Sequence, residues 1–518
     1  MATKVSSKLP TQDDQSVTAG WLTSGYSTYQ VQSFLGHGAF SSVAKCTRMD
    51  DMKTVAIKMM KRQGSYVEHA KLEVAALKKL KSLDPDECNL VRWYRSFVDR
   101  GHICLEFEHL DQSLFDLMNG RNFRPLHLNE IRLIVQQLAC ALGHLKAAGI
   151  IHADLKLENV MLVNHLQEPF RVKVIDFGLA QTVRSAQLGS YIQTRPYRSP
   201  EIILGCSYTE VIDMWSLGCL VAQLFLSTSL YPGSCEYDMI RYIMETQGQL
   251  PENILTFGAK TCFFFQGDNS STSTFWKLKT PEQFQRETGI QPKETRLLKL
   301  TSLDNLLDIR IIDCEKVVDR LAEMSDVQMF VDMLKGMLQL DPARRITPHQ
   351  VLEHHFTSMH HFINLYPGSS YVSSASHMMD VSWNKSPPSH SGKAACKPQR
   401  KSRSRTTKAI QPAGSNRSGG KRKVVDVVGH ANTVSTAPAS EPDTTRPCSV
   451  REHLARSILN DHTYARREKP RPSNSAETER PARPRRTRKR PVDEDVPPRK
   501  RTTKRCGKKS SAGPSTSG

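Results

Sequence analysis

The first ten residues, Met1 to Pro10, hold no apolar run of the kind that opens a secretory signal. No stretch of the 518 residues stays apolar for the roughly 20 positions a membrane helix needs. The nearest, Met214 to Leu226, is interrupted by Ser216 and Gln223. This argues against a membrane partner. Twelve cysteines are present, but no two are spaced Cys-x-x-Cys, so neither a zinc site nor a disulfide framework is indicated. Scattered thiols fit a reducing compartment. Aromatic residues thin out after residue 356, where Ser, Pro, Lys, Arg and Thr dominate. A segment of that composition cannot bury enough surface to fold. It also lacks the interleaved aromatics that stack on bases, which argues against specific nucleic-acid binding. Binding by charge alone would be salt-sensitive and unspecific.

Charge is distributed unevenly. From Val381 to Gly518 there are 33 Lys and Arg against 11 Asp and Glu. That excess of +22 is larger than the +20 of the whole chain, so the remainder carries −2. A nearly neutral globular part therefore bears a strongly basic tail. The expected organisation is a flexible leader over residues 1–28, a globular domain over 29–356 and a disordered tail over 357–518. The chain is expected to be a monomer.

Two stretches carry the chemistry. The first is Ile151-His152-Ala153-Asp154-Leu155-Lys156-Leu157-Glu158-Asn159 and the second is Val174-Ile175-Asp176-Phe177-Gly178. Upstream lie a glycine-rich turn, Gly36-His37-Gly38-Ala39-Phe40-Ser41-Ser42-Val43, and a strand ending in a lysine, Val55-Ala56-Ile57-Lys58. In this order they resemble the centre of a protein kinase. Alone, each of the shorter strings is common by chance. The resemblance implies an α+β, two-lobed fold, with a β-rich small lobe carrying one helix and a mainly helical large lobe, and it implies ATP and Mg²⁺ as cofactors. Phosphoryl transfer passes through a loose transition state, so the protein mainly positions groups and neutralises charge. By resemblance, Asp154 orients the substrate hydroxyl and accepts its proton. Lys156 places a positive charge beside the transferred group, in the manner of Ser/Thr kinases. Asn159 and Asp176 hold metal ions, and Lys58 grips the α- and β-phosphates.

Residues 66–82 read as a helix, with Val67, Ala70, Val74 and Leu77 at helical spacing. Glu73 then lies on or beside the inward face, and an inward carboxylate needs a partner. Lys58 is the expected one. Residues 102–107 read as a strand. The resemblance makes Phe107 the gatekeeper and Glu108, His109 and Leu110 the hinge that offers backbone groups to adenine. It also implies that Leu35, Gly36, Gly38, Val43, Ala56 and Met161 line the nucleotide pocket. Residues 128–147 form a core helix. The resemblance further implies that Glu201, in Ser199-Pro200-Glu201, pairs with Arg345 and that Asp213 holds the catalytic-loop backbone. Residues 263–295 read as an irregular insert.

The activation-segment string Tyr191-Ile192-Gln193-Thr194-Arg195-Pro196-Tyr197-Arg198 resembles that of dual-specificity, tyrosine-autophosphorylating kinases. The string His152-Ala153-Asp154-Leu155-Lys156, with the later residues 235–243, looks like the homeodomain-interacting protein kinases in particular. Four positions depart from the family pattern: Ser41 for Gly, Leu157 for Pro, Leu179 for Ser, and Pro196 for an aromatic. Ala153 stands where phospho-regulated kinases usually carry an arginine. In the resembling families a phosphotyrosine at the position of Tyr191 is held by the arginines at the positions of Arg195 and Arg198. A phosphate brings about −1.5 to −2 charge, enough to order a loop against such a pair.

In the tail, Lys421-Arg422-Lys423 is a small basic cluster. Residues 485–490, then Arg499-Lys500-Arg501 and Lys504-Arg505, form a larger bipartite one. Such clusters read as nuclear-localisation signals or nucleic-acid patches. The expected partners are a nuclear import receptor and nuclear protein substrates, by resemblance transcription factors or co-regulators. Residues 451–464, with Leu454, Ile458 and Leu459, are expected to be disordered like the rest of the tail, the alternative being a short docking helix. The rival readings are a pseudokinase scaffold, which would require loss of Lys58, Glu73, Asp154, Asn159 or Asp176, and a nucleic-acid-binding protein acting through its tail.

Overall fold

The computed structural model describes residues 20–384, except 39–40, 61–65, 187–189, 269–274 and 310–314. All of these belong to a compact unit spanning 1–460; a second unit, 461–518, lies outside the described residues, as do residues 451–460 and both basic clusters of the tail.

The small lobe is a six-stranded antiparallel sheet with strand order β1-β2-β3-β4-β6-β5. Its strands are β1 (Trp21–Thr23), β2 (Thr28–His37), β3 (Ser41–Arg48), β4 (Thr54–Met60), β5 (Trp93–Asp99) and β6 (His102–Glu108). One face buries Leu22, Tyr29, Ala44, Cys46, Val55, Ile57, Met59 and Cys104 as a small core. Side chains alternate across a strand, so Val43, Ala56, Lys58 and Phe107 share the opposite face, with Val43 opposite Lys58 and Ala56 opposite Phe107. That face looks onto helix α1 (Tyr66–Leu80) and the large lobe.

Of the leader expected over 1–28, residues 1–19 lie outside the described residues, whereas Trp21–Thr23 forms a strand: Trp21 pairs with Gln30, and Leu22 is buried beside Tyr29. A three-residue strand is too short to show periodicity in the sequence.

The large lobe is built on α2 (Leu114–Gly120), α3 (Leu128–Ala147), α4 (Val211–Leu226), α5 (Glu236–Gln247), α6 (Pro281–Thr288) and α7 (Val317–Met337). Short strand pairs cross its upper surface. β7 (Ile150–Ile151) pairs with β10 (Gln181–Thr182), and β8 (Val160–Asn164) pairs with β9 (Glu168–Val174). The core helix α3 starts and ends where the sequence places it, and its apolar stripe from Ile131 to Leu145 is buried.

The 263–295 stretch is more ordered than the sequence suggests. β11 (Phe265–Asp268) and β12 (Phe275–Leu278) form a hairpin, and α6 follows. Phe284 stacks on Tyr237 at 4.4 Å and meets Phe263 edge-on at 5.5 Å, so aromatic packing anchors the stretch to α5.

The folded part also continues past residue 356. Helix α8 (Ser370–Asn384) follows a tight turn. The Ser369 and Ser370 hydroxyls donate to Asp319 of α7 at 2.6 and 2.7 Å, and the Tyr371 hydroxyl donates to Asp326 at 2.6 Å. Asp326 is fully buried and salt-bridged to the equally buried Arg132 of α3. Val372 and Ala375 pack with Ala322, Met359 and Phe362. Ordered structure thus runs beyond the expected end at 356 at least to the last described residue: a serine-rich helix is held by carboxylates that another helix supplies.

Candidate active site

Strand β4 delivers Lys58 into the cleft, and α1 delivers Glu73 against it. The Lys58 ammonium donates to both oxygens of Glu73, at 2.7 and 2.8 Å, and to Asp176 Oδ1 at 2.7 Å. Burial opposes a charge on Lys58, but Asp176 and Glu73 outweigh it and hold its pKa above the usual lysine value. Burial likewise works against Asp176, yet Lys58 and the Gly178 amide bring its carboxyl down to about 2. Asp176 is thus an anion at neutral pH. Its backbone is left-handed, with φ 62°, and Phe177 behind it is buried edge-on against His152.

The catalytic loop is fixed from below. Both oxygens of the buried Asp213, on α4, accept backbone amides, from His152 at 2.7 Å and from Ala153 at 2.9 Å. These bonds hold Ala153 at φ 64°. Asp154 then points up. Its Oδ2 accepts from the Lys156 ammonium at 2.7 Å and from the Asn159 amide at 3.1 Å. Asn159 also donates to the Asp154 carbonyl at 2.8 Å.

Thr194 was not singled out by sequence reasoning. Its hydroxyl donates to Asp154 Oδ1 at 2.6 Å, and its amide reaches the same oxygen at 3.2 Å. Lys156 also donates to the Thr194 hydroxyl at 3.1 Å. A threonine inside a loop gives no periodic signal, and its partner lies 40 positions away.

Gln193, beside it, is a knot. It is buried with φ 63°. Its amide donates to the Ile212 carbonyl and the Ser216 hydroxyl at 2.9 and 2.8 Å, and its side-chain oxygen accepts the Ser199 amide at 3.0 Å. Its backbone amide donates to Ala153 at 2.9 Å. The activation segment is thereby tied to the catalytic loop and to α4 at one residue.

Tyr191 is about half exposed, with the Arg198 guanidinium 4.0 Å over its ring. Burial pushes the phenol up, but Arg198 and Arg195 outweigh it and set its pKa below the usual value. Arg198 itself is buried. It donates to Glu236 at 2.8 Å and to the Gln193 carbonyl at 2.7 Å. Arg195 donates to the Ser234 carbonyl at 2.8 Å, while its Nε is buried with no partner. Glu201 meets Arg345 through two bonds, at 2.6 and 3.1 Å, with both side chains buried.

The residues expected around a nucleotide fall on adjoining strands. Gly36 of β2 lies opposite Val43, and Leu35 beside it is half exposed. Gly38 donates its amide to the Ser41 carbonyl at 2.7 Å. Ser41 is a buried, extended residue paired with Met60, so at this position the backbone does not require glycine. Leu110 is buried, and Met161 bridges to Ser113 just beyond it. The Glu108 side chain bonds to Lys173, a contact separate from the backbone role expected of this residue at the hinge. Leu157 is buried in the large-lobe core, where its side chain fills the space. Pro196 sits in the first turn of a 3-10 helix, Arg195–Tyr197, a position that suits its fixed φ.

A magnesium ion binds through one or two carboxylates together with substrate phosphates and waters. Asp176, ionised and 41% exposed, and the side chain of Asn159 carry oxygens of that hard kind. Among the described residues no group of three or more His, Cys, Asp or Glu could hold a metal alone, which a phosphate-shared site does not need.

Residues 29–357 match the protein kinase domain family. The chain is 46% identical over 369 residues to homeodomain-interacting protein kinase 1 of Mus musculus, covering 71% of this chain and 30% of that one. It is 45% identical over 369 residues to homeodomain-interacting protein kinase 2 of Mesocricetus auratus, covering 71% and 32%. With homeodomain-interacting protein kinase 1 of Caenorhabditis elegans the identity is 42% over 361 residues, covering 68% and 43%. The chain thus spans about a third to under half the length of these relatives.

Proposed function

Because the chain belongs to the protein kinase family, and within it to the homeodomain-interacting protein kinases, we propose that it transfers the γ-phosphoryl group of ATP to serine and threonine hydroxyls of proteins. The observation that carries this reading is the Lys58 ammonium bonded at once to Glu73 and Asp176, with Asp154 held nearby between Lys156, Asn159 and Thr194.

In this mechanism the hinge from Glu108 to Leu110 receives adenine against Val43, Ala56, Phe107 and Met161, and Lys58 steadies the phosphates. Asp176 and Asn159 would hold Mg²⁺, which supplies charge neutralisation on the phosphates when bound. Asp154 aligns the incoming hydroxyl and takes up its proton. Lys156 balances the negative charge that builds on the transferred group. The test is transfer from Mg-ATP to a library of Ser/Thr peptides by the purified protein, measured against Asp154→Asn. Absence of transfer by the unmutated chain sinks the reading.

The finer proposals follow the relatives' names, which describe them as interacting with homeodomains. Substrates would be transcription regulators in the nucleus, reached through an import receptor that binds the tail clusters. In cells, truncation after residue 480 is expected to move a fluorescent fusion largely to the cytoplasm, with activity in vitro unchanged. Two clusters bound at once gain through effective concentration, so replacing only Arg488, Lys489 and Arg490 with Ala should act partially. A truncated form that stays nuclear refutes this role for the clusters.

Tyr191 would be phosphorylated by the chain itself. The same cations that lower its phenol pKa would favour a phosphate there. Protein made in bacteria should carry phosphate on Tyr191 by mass spectrometry, and Tyr191→Phe should lose activity several-fold without being dead. Full activity with Tyr191 unmodified counts against the switch.

A further inference from the structure

Strand β9 runs through the core with Val172 and Val174 fully buried. Between them stands Lys173, whose side chain is only 1% exposed. Burying an ammonium is costly unless it is paired, and an apolar residue of similar volume often serves stability as well or better. Lys173 is paired twice. Its ammonium meets Asp86 at 2.5 Å and Glu108 at 2.6 Å.

These three residues come from three different places. Asp86 lies in the loop that leaves α1, the helix carrying Glu73. Glu108 is the last residue of β6 and the first of the hinge. Lys173 precedes Asp176 by three positions on a strand fixed by backbone bonds. Val174 donates to the Asn89 carbonyl at 2.9 Å and accepts from the Val91 amide at 3.0 Å, and Ile175 donates to the Asn159 carbonyl at 2.9 Å. The other ends are fixed too. Glu108 Oε1 accepts the Arg92 amide at 2.6 Å, and the Glu108 amide donates to the Arg92 carbonyl at 3.0 Å. Asp86 is held by the Arg92 guanidinium, and its carbonyl by Arg171.

A nucleotide in the proposed site would touch both ends of this clamp, with adenine at the hinge and the metal-bearing phosphates at Asp176. We propose that Lys173, with Glu108 and Asp86, is a positioning residue that fixes the span between the hinge and Asp176, so that the two ends of Mg-ATP bind as one. The inference rests on the kinase reading and specifies how its nucleotide site is held.

The span can be read with two ligands. Adenosine touches the hinge alone, whereas Mg-ATP touches both ends. Affinities are measured by calorimetry for the full chain, for Lys173→Met and for Glu108→Gln, with thermal unfolding as the folding control. Coupling between linked sites commonly amounts to 5–150-fold. In each variant Mg-ATP is expected to weaken by roughly tenfold, within that range, while adenosine stays within about twofold. The double variant should be little worse than Lys173→Met, because both remove the same link. Equal weakening of both ligands, or no change in either, overturns the proposal. Glu108→Gln differs by one group at a partly exposed site, so it keeps the test open if Lys173→Met does not fold. An unmutated chain that binds no Mg-ATP overturns the kinase reading, which is a different result from unchanged binding in the variants.

Discussion

Asp154→Asn is expected to lower phosphoryl transfer by roughly 10²–10⁴-fold, the usual contribution of a positioned general base. The effect follows from what the carboxylate touches. Oδ2 accepts from Lys156 and Asn159, and Oδ1 accepts from Thr194. An amide can satisfy Thr194 with its oxygen, but its NH₂ then faces the Lys156 and Asn159 donors. The base is lost, and the charge beside the transferred group becomes one unit more positive, because Lys156 is no longer paired. The loop itself is held by Asp213 through His152 and Ala153, so the fold should persist. Melting temperature and Mg-ATP affinity should therefore stay near those of the unmutated chain while the rate falls. A purified variant that phosphorylates peptides near the original rate is incompatible with Asp154 as the base.

The largest loss of stability is expected at Arg345→Met. The guanidinium makes two bonds to Glu201 and further bonds to the Val211 and Gln339 carbonyls, all in a buried setting. It also lies 5.3 Å from the centre of the Trp215 ring. Removing one partner of a buried pair strands the other charge, which costs about 3–5 kcal/mol. Glu201 follows Pro200 at the start of a short helix, Pro200–Leu204, so the loss reaches the end of the activation segment. Urea unfolding should show the drop, and Arg345→Met combined with Glu201→Met should recover part of it, because no carboxylate is then left stranded. A single variant within about 1 kcal/mol of the original would contradict the buried-pair account.

What could be read from the sequence was local. Glu73 was legible because a helix face and a strand-ending lysine each required a partner, and the structure pairs them. Asp154, Asn159 and Asp176 stood out because the short strings that hold them resemble those of protein kinases, and the structure sets Asn159 against Asp154 and Asp176 against Lys58. Thr194 and Lys173 were not, because each acts on a residue 40 or more positions away and neither interrupts a pattern. In Val172-Lys173-Val174, period-two alternation even suggests a solvent-facing lysine, whereas two carboxylates from other elements bury it. Helix α8 was missed for a related reason. Its serines favour turns and caps over helix interiors, and what fixes its start is Asp319 of α7. The 263–295 stretch looked irregular because its order comes from Phe263, Phe284 and Tyr237 meeting across elements.

The Gln193 knot bears on how large a response the activation segment can give. Any switch multiplies activity by at most the reciprocal of the fraction already competent. Gln193 joins the segment to Ala153, Ile212, Ser216 and Ser199 with no phosphate taking part. If about a quarter of the molecules are competent before modification, full phosphorylation can raise output only about fourfold, in line with the several-fold loss expected of Tyr191→Phe. A chain so tied would keep an appreciable basal output and answer to a shallow dial. Its throughput in a cell would follow the number of molecules made and where they are kept more closely than the state of Tyr191.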